Sequence, residues 1–250
     1  MSEHLTERTV AQEACLRESL AGLSRLAMRQ LSLSKMLTHV AEFAVQAIPG
    51  ADGVGVTLFQ DDRADTSVAS ADFVRNVDAV QYLLGEGPCI TAANQRRTVS
   101  SGQLETDRAF PRFGPKSAAM GVHSVLSLPL LTLDGVLGSM NVYAHVENAF
   151  DARAVQLGEL FAIPAAVSVQ NAQELSQAQR LTEQLQAALS SRAVIDQAVG
   201  IIMSRTGCSD DQAFDKLRTM SQASNRKLAL VAAQIVDEAV RRARARIART

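Results

Sequence analysis

One stretch near the middle of the chain, "VHSVLSLPLLTLDGVLGSMNVYAH" (residues 122–145), constrains the fold most strongly. Its two apolar halves are typical of strands, and the Asp-Gly pair between them indicates a tight turn joining antiparallel neighbours. Three further strands are predicted, at Gly53–Phe59, "TSVAS" and "TVSS". Helical spacing up to about Ile48 and in "DFVRNVDAVQYLL" borders these strands. The sequence therefore predicts an antiparallel sheet flanked by helices, which is the α+β class.

A helical pattern begins after Asp151, which is placed to cap it, and continues to about Ser191. Pro164 predicts a kink or a local break within this helix. Residues recurring at coiled-coil spacing are Leu175, Ala178, Leu185 and Leu189, with Thr182 in one slot. This helix either pairs with a second copy in a homodimer or packs on its own domain. The predicted regions are an α+β domain (1–170), a coiled-coil linker helix (171–190) and an all-α tail (191–250).

Charge is distributed unevenly along the chain. The whole chain carries a net charge of −1, whereas residues 191–250 hold eleven cations and six acids, a net charge of +5. The remaining residues therefore carry −6. A basic segment attached to an acidic body predicts a polyanionic partner for that segment alone.

Composition narrows the class of protein. An apolar fraction of 47% and a charged fraction of 20% are ordinary for a globular chain. No apolar run approaches the roughly 20 residues that a membrane-spanning helix needs, and the polar N-terminus differs from a secretory signal. The three cysteines are odd in number and far apart, which argues against a disulfide framework. A cytoplasmic protein without membrane contacts is expected.

The α+β domain contains "GEGPC" (85–89), the segment Gly121–Ala144, and "AF" before the long helix. This pattern resembles bacterial GAF sensor domains over residues 20–170. The resemblance implies a six-stranded antiparallel sheet with a small-molecule pocket on one face. Ligands differ so widely among GAF domains that the resemblance implies no particular one, and the cofactor is unknown.

Four residues are candidates for lining such a pocket: Tyr82, Cys89, His123 and Tyr143. Packing within the core and sheet is the alternative for each. Cys89 begins a helix, whose dipole favours the thiolate, so it is either a redox-sensing thiol or a small buried apolar side chain. Some GAF proteins reduce free methionine sulfoxide with clustered cysteines, and Cys15 and Cys89 form no such cluster in the sequence. Metal-ligand spacing and phosphate-binding loops are also missing from the sequence, so we expect no enzyme.

The tail begins with a predicted helix, Arg192–Arg205, that has two distinct faces. The apolar face consists of Val194, Ile195, Ala198, Ile201 and Ile202. The opposite face consists of Ala193, Gln197, Gly200 and Ser204. Glycine inside a helix costs about 1 kcal/mol relative to alanine. Gly200 therefore indicates a close approach by a nucleic acid, by a partner helix, or by the preceding helix of the same chain.

Two more helices are predicted in the tail. "SDDQ" at Ser209 is a capping box, and the buried face that follows is expected to be Ala213, Phe214, Leu217 and Met220. Asn225 is predicted to cap the third helix, which would bury Leu228, Val231, Ala232 and Ile235. Arg226 and Lys227 would then occupy its first turn, where the helix dipole disfavours cations. Together with free backbone amides they predict a phosphate site. The arginines of "RRARARIART" are weaker indicators, because the dipole favours them there.

The segment "SRAVIDQAVGIIMSRTGCSDDQAFDKLRTMSQASNRKLALVAAQIV" resembles the ANTAR domain from end to end. ANTAR domains are small helical bundles that bind paired hexanucleotide-loop hairpins in nascent transcripts and so prevent a terminator from forming. Many relatives have lysine where this chain has Val199, so one basic phosphate contact is expected to be missing. The predicted RNA-binding residues are Arg192, Gln197, Gly200, Met203, Ser204, Arg205, Arg218, Asn225, Arg226 and Lys227.

These features predict a signal-responsive antitermination regulator. The GAF domain would sense a small molecule, a redox change or a partner, and a homodimer would present two tails to paired hairpins. Two alternatives remain: a protein-interaction module that docks a partner helix, and a DNA-binding regulator. The residues alone indicate a polyanion, and the resemblance implies RNA. Phe214 is the single aromatic residue of the tail and is expected to be buried, which would leave base stacking to arginine.

Overall fold

A computed structural model describes residues 2–27, 31–60 and 63–248 of the chain. The helices are α1 (Ser2–Ala27), α2 (Leu33–Ala47), α3 (Asp72–Leu84), α4 (Pro88–Gln95), α5 (Phe113–Ala119), α6 (Ala152–Thr206), α7 (Asp210–Ala223) and α8 (Leu228–Ile247). The strands are β1 (Gly53–Gln60), β2 (Arg63–Ala69), β3 (Val99–Ser101), β4 (Ser124–Thr132) and β5 (Gly135–Ala144). The chain divides into two compact units, residues 1–176 and 177–250, which we call the sensor unit and the tail unit.

The sensor unit contains one antiparallel sheet in the order β2-β1-β5-β4-β3. The α+β class is confirmed. The described residues form five strands, so the six that the family resemblance implied are not all present there. Between β3 and β4 the chain forms a 3-10 turn at Leu104–Thr106 and then α5, which the sequence analysis did not predict.

The hairpin of β4 and β5 forms the centre of this sheet. Its turn lies within the predicted "TLDG" segment but one residue earlier than the Asp-Gly pair, since Thr132 pairs with Gly135 and the two loop residues are Leu133 and Asp134. Gly135 has a φ of +134°, in the region that favours glycine. Gly138 lies so close to β1 that an added Cβ would be 2.0 Å from the Thr57 carbonyl oxygen. The register of the central strands therefore depends on glycine at this position.

The two faces of the sheet carry different side chains. One face is apolar, with Val54, Val56 and Val142 among the residues that pack against α1, α2 and α6. The other face packs against α3, α4 and α5 and carries polar groups among its apolar ones, including Asn141 and Ser139, which are fully buried. Because side chains alternate along a strand, this division follows directly from the sequences of β1 and β5.

Helix α6 is 55 residues long and continuous. Asp151 caps it as predicted, since its Oδ1 accepts a hydrogen bond from the Ala154 N–H at 2.8 Å. Pro164 lies inside the helix without ending it. The helix was predicted to end near Ser191, but it continues to Thr206, because residues 192–205 belong to the same helix. By length and composition alone α6 could cross a membrane, contrary to the sequence-based expectation, but half of its most apolar window is buried inside the protein.

The tail unit has a small core of its own, formed by the end of α6 together with α7 and α8. Its fully or almost fully buried residues are Ala198, Val199, Ile202, Ala213, Leu217, Val231 and Ala232. Partly buried neighbours, including Ile195 and Ile235, extend it. The predicted apolar faces of α6 and α8 are therefore largely confirmed.

Candidate nucleic-acid interface and sensor core

The outer face of α6 in the tail unit contains four of the predicted RNA-binding residues. Gln197, Gly200, Ser204 and Arg205 are all exposed. Apart from its two chain neighbours and the backbone of its own helix, no heavy atom of the described residues lies within 4 Å of the position that a Cβ on Gly200 would take. Packing against a preceding helix does not explain this glycine, since the preceding residues belong to the same helix.

Gly200 lies in an open groove of about 610 Å³ between α6 and α8. Its lining residues are Gln197, Gly200, Ile201, Ser204, Arg205, Val236, Ala239 and Val240. The α8 side was not predicted as a site. The signal for it was the recurrence of Val236, Ala239 and Val240 on one face of α8, next to the core positions. The groove therefore combines an apolar interior with polar groups from α6.

Two arginines of α8 bind one carboxylate of the same helix, and Arg205, which lines the groove, adds its positive charge. Arg242 Nε donates to Glu238 Oε1 at 2.6 Å, and Arg241 Nη2 lies 3.5 Å from Oε2. The pKa of Glu238 is lowered by the hydrogen bond from Arg242 and by the positive charges of Arg242, Arg241 and Arg205. The three positive charges and the one negative charge sum to a net charge of +2. Arg241 and Arg242, which the sequence analysis treated as weak indicators, thus belong to a basic cluster with Arg205.

The connection between α7 and α8 differs from the prediction. Asn225 has a φ of +49°, and its N–H bonds Gln222 O at 3.1 Å, while the Arg226 N–H bonds Ser221 O at 3.1 Å. This pair of bonds is the Schellman motif that ends α7, so Asn225 does not cap α8. Arg226 and Lys227 precede α8, which begins at Leu228. The argument from an unfavourable first helical turn therefore does not apply.

The other predicted contacts are spread over the tail unit and do not line the groove. Arg192 is exposed on α6, and Met203 packs against the core. Arg218 Nη2 lies 2.8 Å from Asp215 Oδ1 on the exposed surface of α7. Arg226 Nη1 donates to Gln234 Oε1 at 2.7 Å. Val199 is only 5% exposed, so this position affects the core and offers no site for a phosphate contact.

Helix α7 confirms one prediction and contradicts another. The capping box is present: Ser209 Oγ accepts from the Gln212 N–H, and Gln212 Oε1 accepts from the Ser209 N–H. Phe214 and Met220 were expected in the core, but they are 39% and 46% exposed. Ala213 and Leu217 suffice to fill the contact with the other two helices. The tail unit thus presents its single aromatic ring to solvent.

The sensor unit contains a buried polar network between the sheet and α3. Asp78 Oδ1 accepts hydrogen bonds from Tyr143 Oη at 2.5 Å, from Asn141 Nδ2 at 2.9 Å and from Gln81 Nε2 at 3.4 Å. Gln81 also donates to Tyr143 Oη at 2.7 Å and accepts from the Cys89 N–H at 2.9 Å. Asp78, Gln81, Asn141 and Tyr143 are all completely buried. Residues from α3, α4 and β5 are therefore joined through one carboxylate.

Two of the predicted pocket residues belong to this network, and both have raised pKa values. Burial raises the pKa of the Cys89 thiol to about 11, and the nearby Asp78 charge adds to the effect. Burial and the Asp78 charge also raise the pKa of Tyr143. The dipole at the N-terminus of α4 does not offset the increase in the pKa of Cys89. Cys89 therefore behaves as a buried neutral thiol, which favours the second of the two alternatives for this residue.

The other two predicted pocket residues lie at the edge of the network or outside it. Tyr82 is half-buried, and its hydroxyl is hydrogen-bonded to Thr57 Oγ1. His123 is half-buried before β4, where its backbone bonds Leu104 and Ala144; no hydrogen bond joins it to the network among the described residues. Space around the network is small: a Cβ on Gly55 would be 2.3 Å from Asp78 Oδ2. In this conformation the protein's own polar groups occupy the region where a ligand was expected.

The described part of the chain contains no group of three or more His, Cys, Asp or Glu residues arranged to hold a metal ion. The three cysteines are free: Cys15 is exposed, Cys208 is half-buried and Cys89 is buried.

Comparison with known proteins agrees with both resemblances. The GAF domain model matches residues 30–170, and the ANTAR domain model matches residues 183–236. A solved GAF domain structure is 16% identical and covers 63% of this chain and 88% of its own, with a TM-score of 0.50. A free methionine-R-sulfoxide reductase from Neisseria meningitidis, solved with its substrate, is 16% identical and covers 64% and 90%, also with a TM-score of 0.50. At this identity both show the fold alone. No curated protein matches the chain.

The matched ranges cover most of the chain. GAF domains are sensors, and ANTAR domains are RNA-binding antitermination regulators, so both are regulatory domains. The chain belongs to the GAF domain family, carries an ANTAR domain after it, and is a signal-regulated regulator.

Proposed function

We propose that this protein binds paired hairpins in nascent mRNA through its tail unit and prevents termination of transcription. The observation that carries the proposal is the basic cluster of Arg205, Arg241 and Arg242 beside the Gly200 groove. Guanidinium groups on two helices that outnumber the carboxylate they share fit a phosphate backbone. The exposed cations Arg192, Arg218, Arg226 and Lys227 add further phosphate contacts from the rest of the unit.

The sensor unit would control this binding in response to a signal. A small molecule or a protein partner is favoured over oxidation of Cys89, because the thiolate is the reactive form and burial suppresses it. A polar ligand could compete for the donors and acceptors that Asp78, Gln81 and Asn141 now satisfy among themselves. The signal would then be a rearrangement of a network that is closed in the free protein. The proposal includes no enzymatic step.

A homodimer would present two tail units to the two hairpins. Leu181, Leu185 and Leu189 are each more than half exposed on α6, and they recur at steps of four residues. An apolar row of this kind is a surface on which a second copy of the helix can pack. A cytoplasmic dimer acting on transcripts during synthesis is therefore part of the proposal.

The test is a salt titration of binding to an RNA that carries two hairpins, with a duplex DNA of equal length as the competitor. The three phosphate contacts of the basic cluster alone predict a log–log slope of about −2, or roughly a 20-fold loss of affinity between 50 and 200 mM salt, and contacts from the other exposed cations would make the slope steeper. The hairpin RNA should also outcompete the duplex DNA. Equal competition by DNA would favour the DNA-binding alternative. Affinity that does not respond to salt would favour docking of a partner helix.

The number of protein chains bound provides a second measurement. Light scattering of the complex should give two protein chains for each two-hairpin RNA. A single chain at saturating RNA would contradict the dimeric mechanism while leaving RNA binding itself intact.

A further inference from the structure

We propose that the groove between α6 and α8 receives one unstacked nucleobase of the RNA loop, while the adjoining phosphate binds the arginines around Glu238. This inference rests on the RNA binding proposed above and assigns the groove a specific ligand. It concerns Gly200, Ile201, Val236 and Val240 as the site of the base, and Arg205, Arg241 and Arg242 as the site of the phosphate.

The chemistry of the groove matches that of a base. Ile201, Val236 and Val240 supply aliphatic walls from two helices, and these can contact the apolar faces of a planar ring. Gln197 and Ser204 line the same groove and carry an amide and a hydroxyl, each of which can both donate and accept. Specific recognition of single-stranded RNA loops uses this combination of packing on the ring and hydrogen bonds to its edge.

Gly200 is the residue that keeps the floor of the groove open. Alanine at this position would stabilise the helix by about 1 kcal/mol, and nothing among the described residues would obstruct its Cβ. Internal packing therefore gives no reason for glycine here. A group that enters from outside and approaches the helix backbone does give one.

The charge around the groove selects a nucleotide over an apolar helix of a partner. Arg205 lines the groove, and its positive charge helps to lower the pKa of Glu238. The Glu238 carboxylate also binds Arg241 and Arg242. The groove is thus continuous with a basic cluster of net charge +2. In a nucleotide, an apolar-faced base is joined through its sugar to an anionic phosphate, so a single ligand satisfies both parts of the site.

The first test fills the groove without disturbing the fold. Leucine is a good helix former, and in Gly200→Leu its side chain would occupy the place of the base. The matched control is Ser190→Leu, which adds the same side chain to the same helix at an exposed position away from the face that contains Gly200. We expect Gly200→Leu to bind the two-hairpin RNA on the order of 10-fold more weakly. Ser190→Leu should bind like the wild type. Both variants should remain helical, and the thermal midpoint of Gly200→Leu should not fall below that of the wild type, because leucine is the better helix former.

The second test identifies the base. A set of RNAs, each with one loop nucleotide made abasic, is titrated against the wild type and against Gly200→Leu. One abasic position should weaken wild-type binding about as much as the leucine does and should have no further effect on the variant. The salt slope should be unchanged in Gly200→Leu, and it should fall by about 1.4 in Arg241→Gln with Arg242→Gln, since two phosphate contacts are lost.

The outcomes separate this inference from the proposed function. Wild-type affinity in Gly200→Leu, or a loss that is the same for every abasic RNA, overturns the base site and leaves RNA binding standing. A wild-type protein that does not bind hairpin RNA at low salt overturns the proposed function, and the base site with it.

Discussion

The two units place their polar chemistry in opposite locations. In the sensor unit, a carboxylate, two amides and a phenol are completely buried and bonded to one another, with Asp78 at the centre. In the tail unit, every described residue that is fully buried is apolar, and the charged groups are on the surface. Buried polar groups fix a unique arrangement because each must keep its partners. Exposed ones remain available to an external ligand. The difference agrees with the proposal that the first unit controls binding through a rearrangement of its core and that the second contacts the RNA.

The largest effect that this comparison predicts is at Asp78. Replacing Asp78 with alanine would leave the buried donors of Tyr143 and Asn141 without their acceptor, and the free energy of unfolding should fall by roughly 3–5 kcal/mol. The measurement is urea unfolding followed by tyrosine fluorescence. The chain has no tryptophan and only two tyrosines, Tyr82 and Tyr143, so this signal reports on the sensor unit.

Asp196→Ala is the control in the tail unit. This carboxylate is exposed on α6, and its loss should change the free energy of unfolding of the tail unit, followed by helical circular dichroism, by less than about 0.5 kcal/mol. Equal effects of the two substitutions would remove the contrast between a polar core and a polar surface.

The second effect depends on pH and acts through Cys89. Its thiol pKa is about 11 in the folded protein against 9.0 for a free thiol, so the folded state holds the proton more tightly. The resulting stability is fully present below pH 9 and is lost as the pH rises to 11, by about 1.4 kcal/mol per unit and about 3 kcal/mol in all. The raised pKa of Tyr143 acts in the same direction. The measurement is urea unfolding at pH 8, 9, 10 and 11.

Cys89→Ala isolates the share of the thiol in this loss. The variant should lose less stability than the wild type between pH 9 and 11, by the amount assigned to Cys89. Parallel pH profiles for the two proteins would show that the thiol is not held neutral by burial.

Thiol labelling of the folded protein at pH 8 should modify Cys15, which is exposed, and spare Cys89, which is buried.

The contrast also explains which features could be predicted from the sequence. Periodicity and turn residues identified the strands, the cap at Asp151 and the capping box at Ser209, because these depend on local residue types. The Asp78 network was not predicted, since α3 and β5 are about sixty residues apart in the chain and no local pattern shows that they meet. In the tail, Gln197, Gly200 and Ser204 were predicted as one face of a helix. The α8 wall of the groove required the packing of two helices.

Two errors have the same physical origin. Asn225 is a good residue both for beginning a helix and for ending one in the left-handed conformation, and the tertiary fold selects the second. Phe214 continues the apolar face of α7, but the core of the three helices is too small to enclose its ring. In both cases the local sequence permits two structures, and the decision is made by packing elsewhere in the tail unit.

The smallest predicted effect concerns the side-chain cap of α7 in the tail unit. Ser209→Ala removes the side-chain cap of α7 and should cost about 1 kcal/mol, observed as an earlier loss of helical circular dichroism with no change in tyrosine fluorescence. Ser190→Ala, at an exposed position within α6, is the control and should not be destabilising. Below the transition, Ser209→Ala should still bind hairpin RNA with wild-type affinity, since Ser209 does not line the groove. If the variant bound RNA weakly while remaining helical, the stability of the tail unit and its recognition of RNA would depend on the same polar groups. The sensor unit is proposed to have this property, so the difference between the two units would be lost.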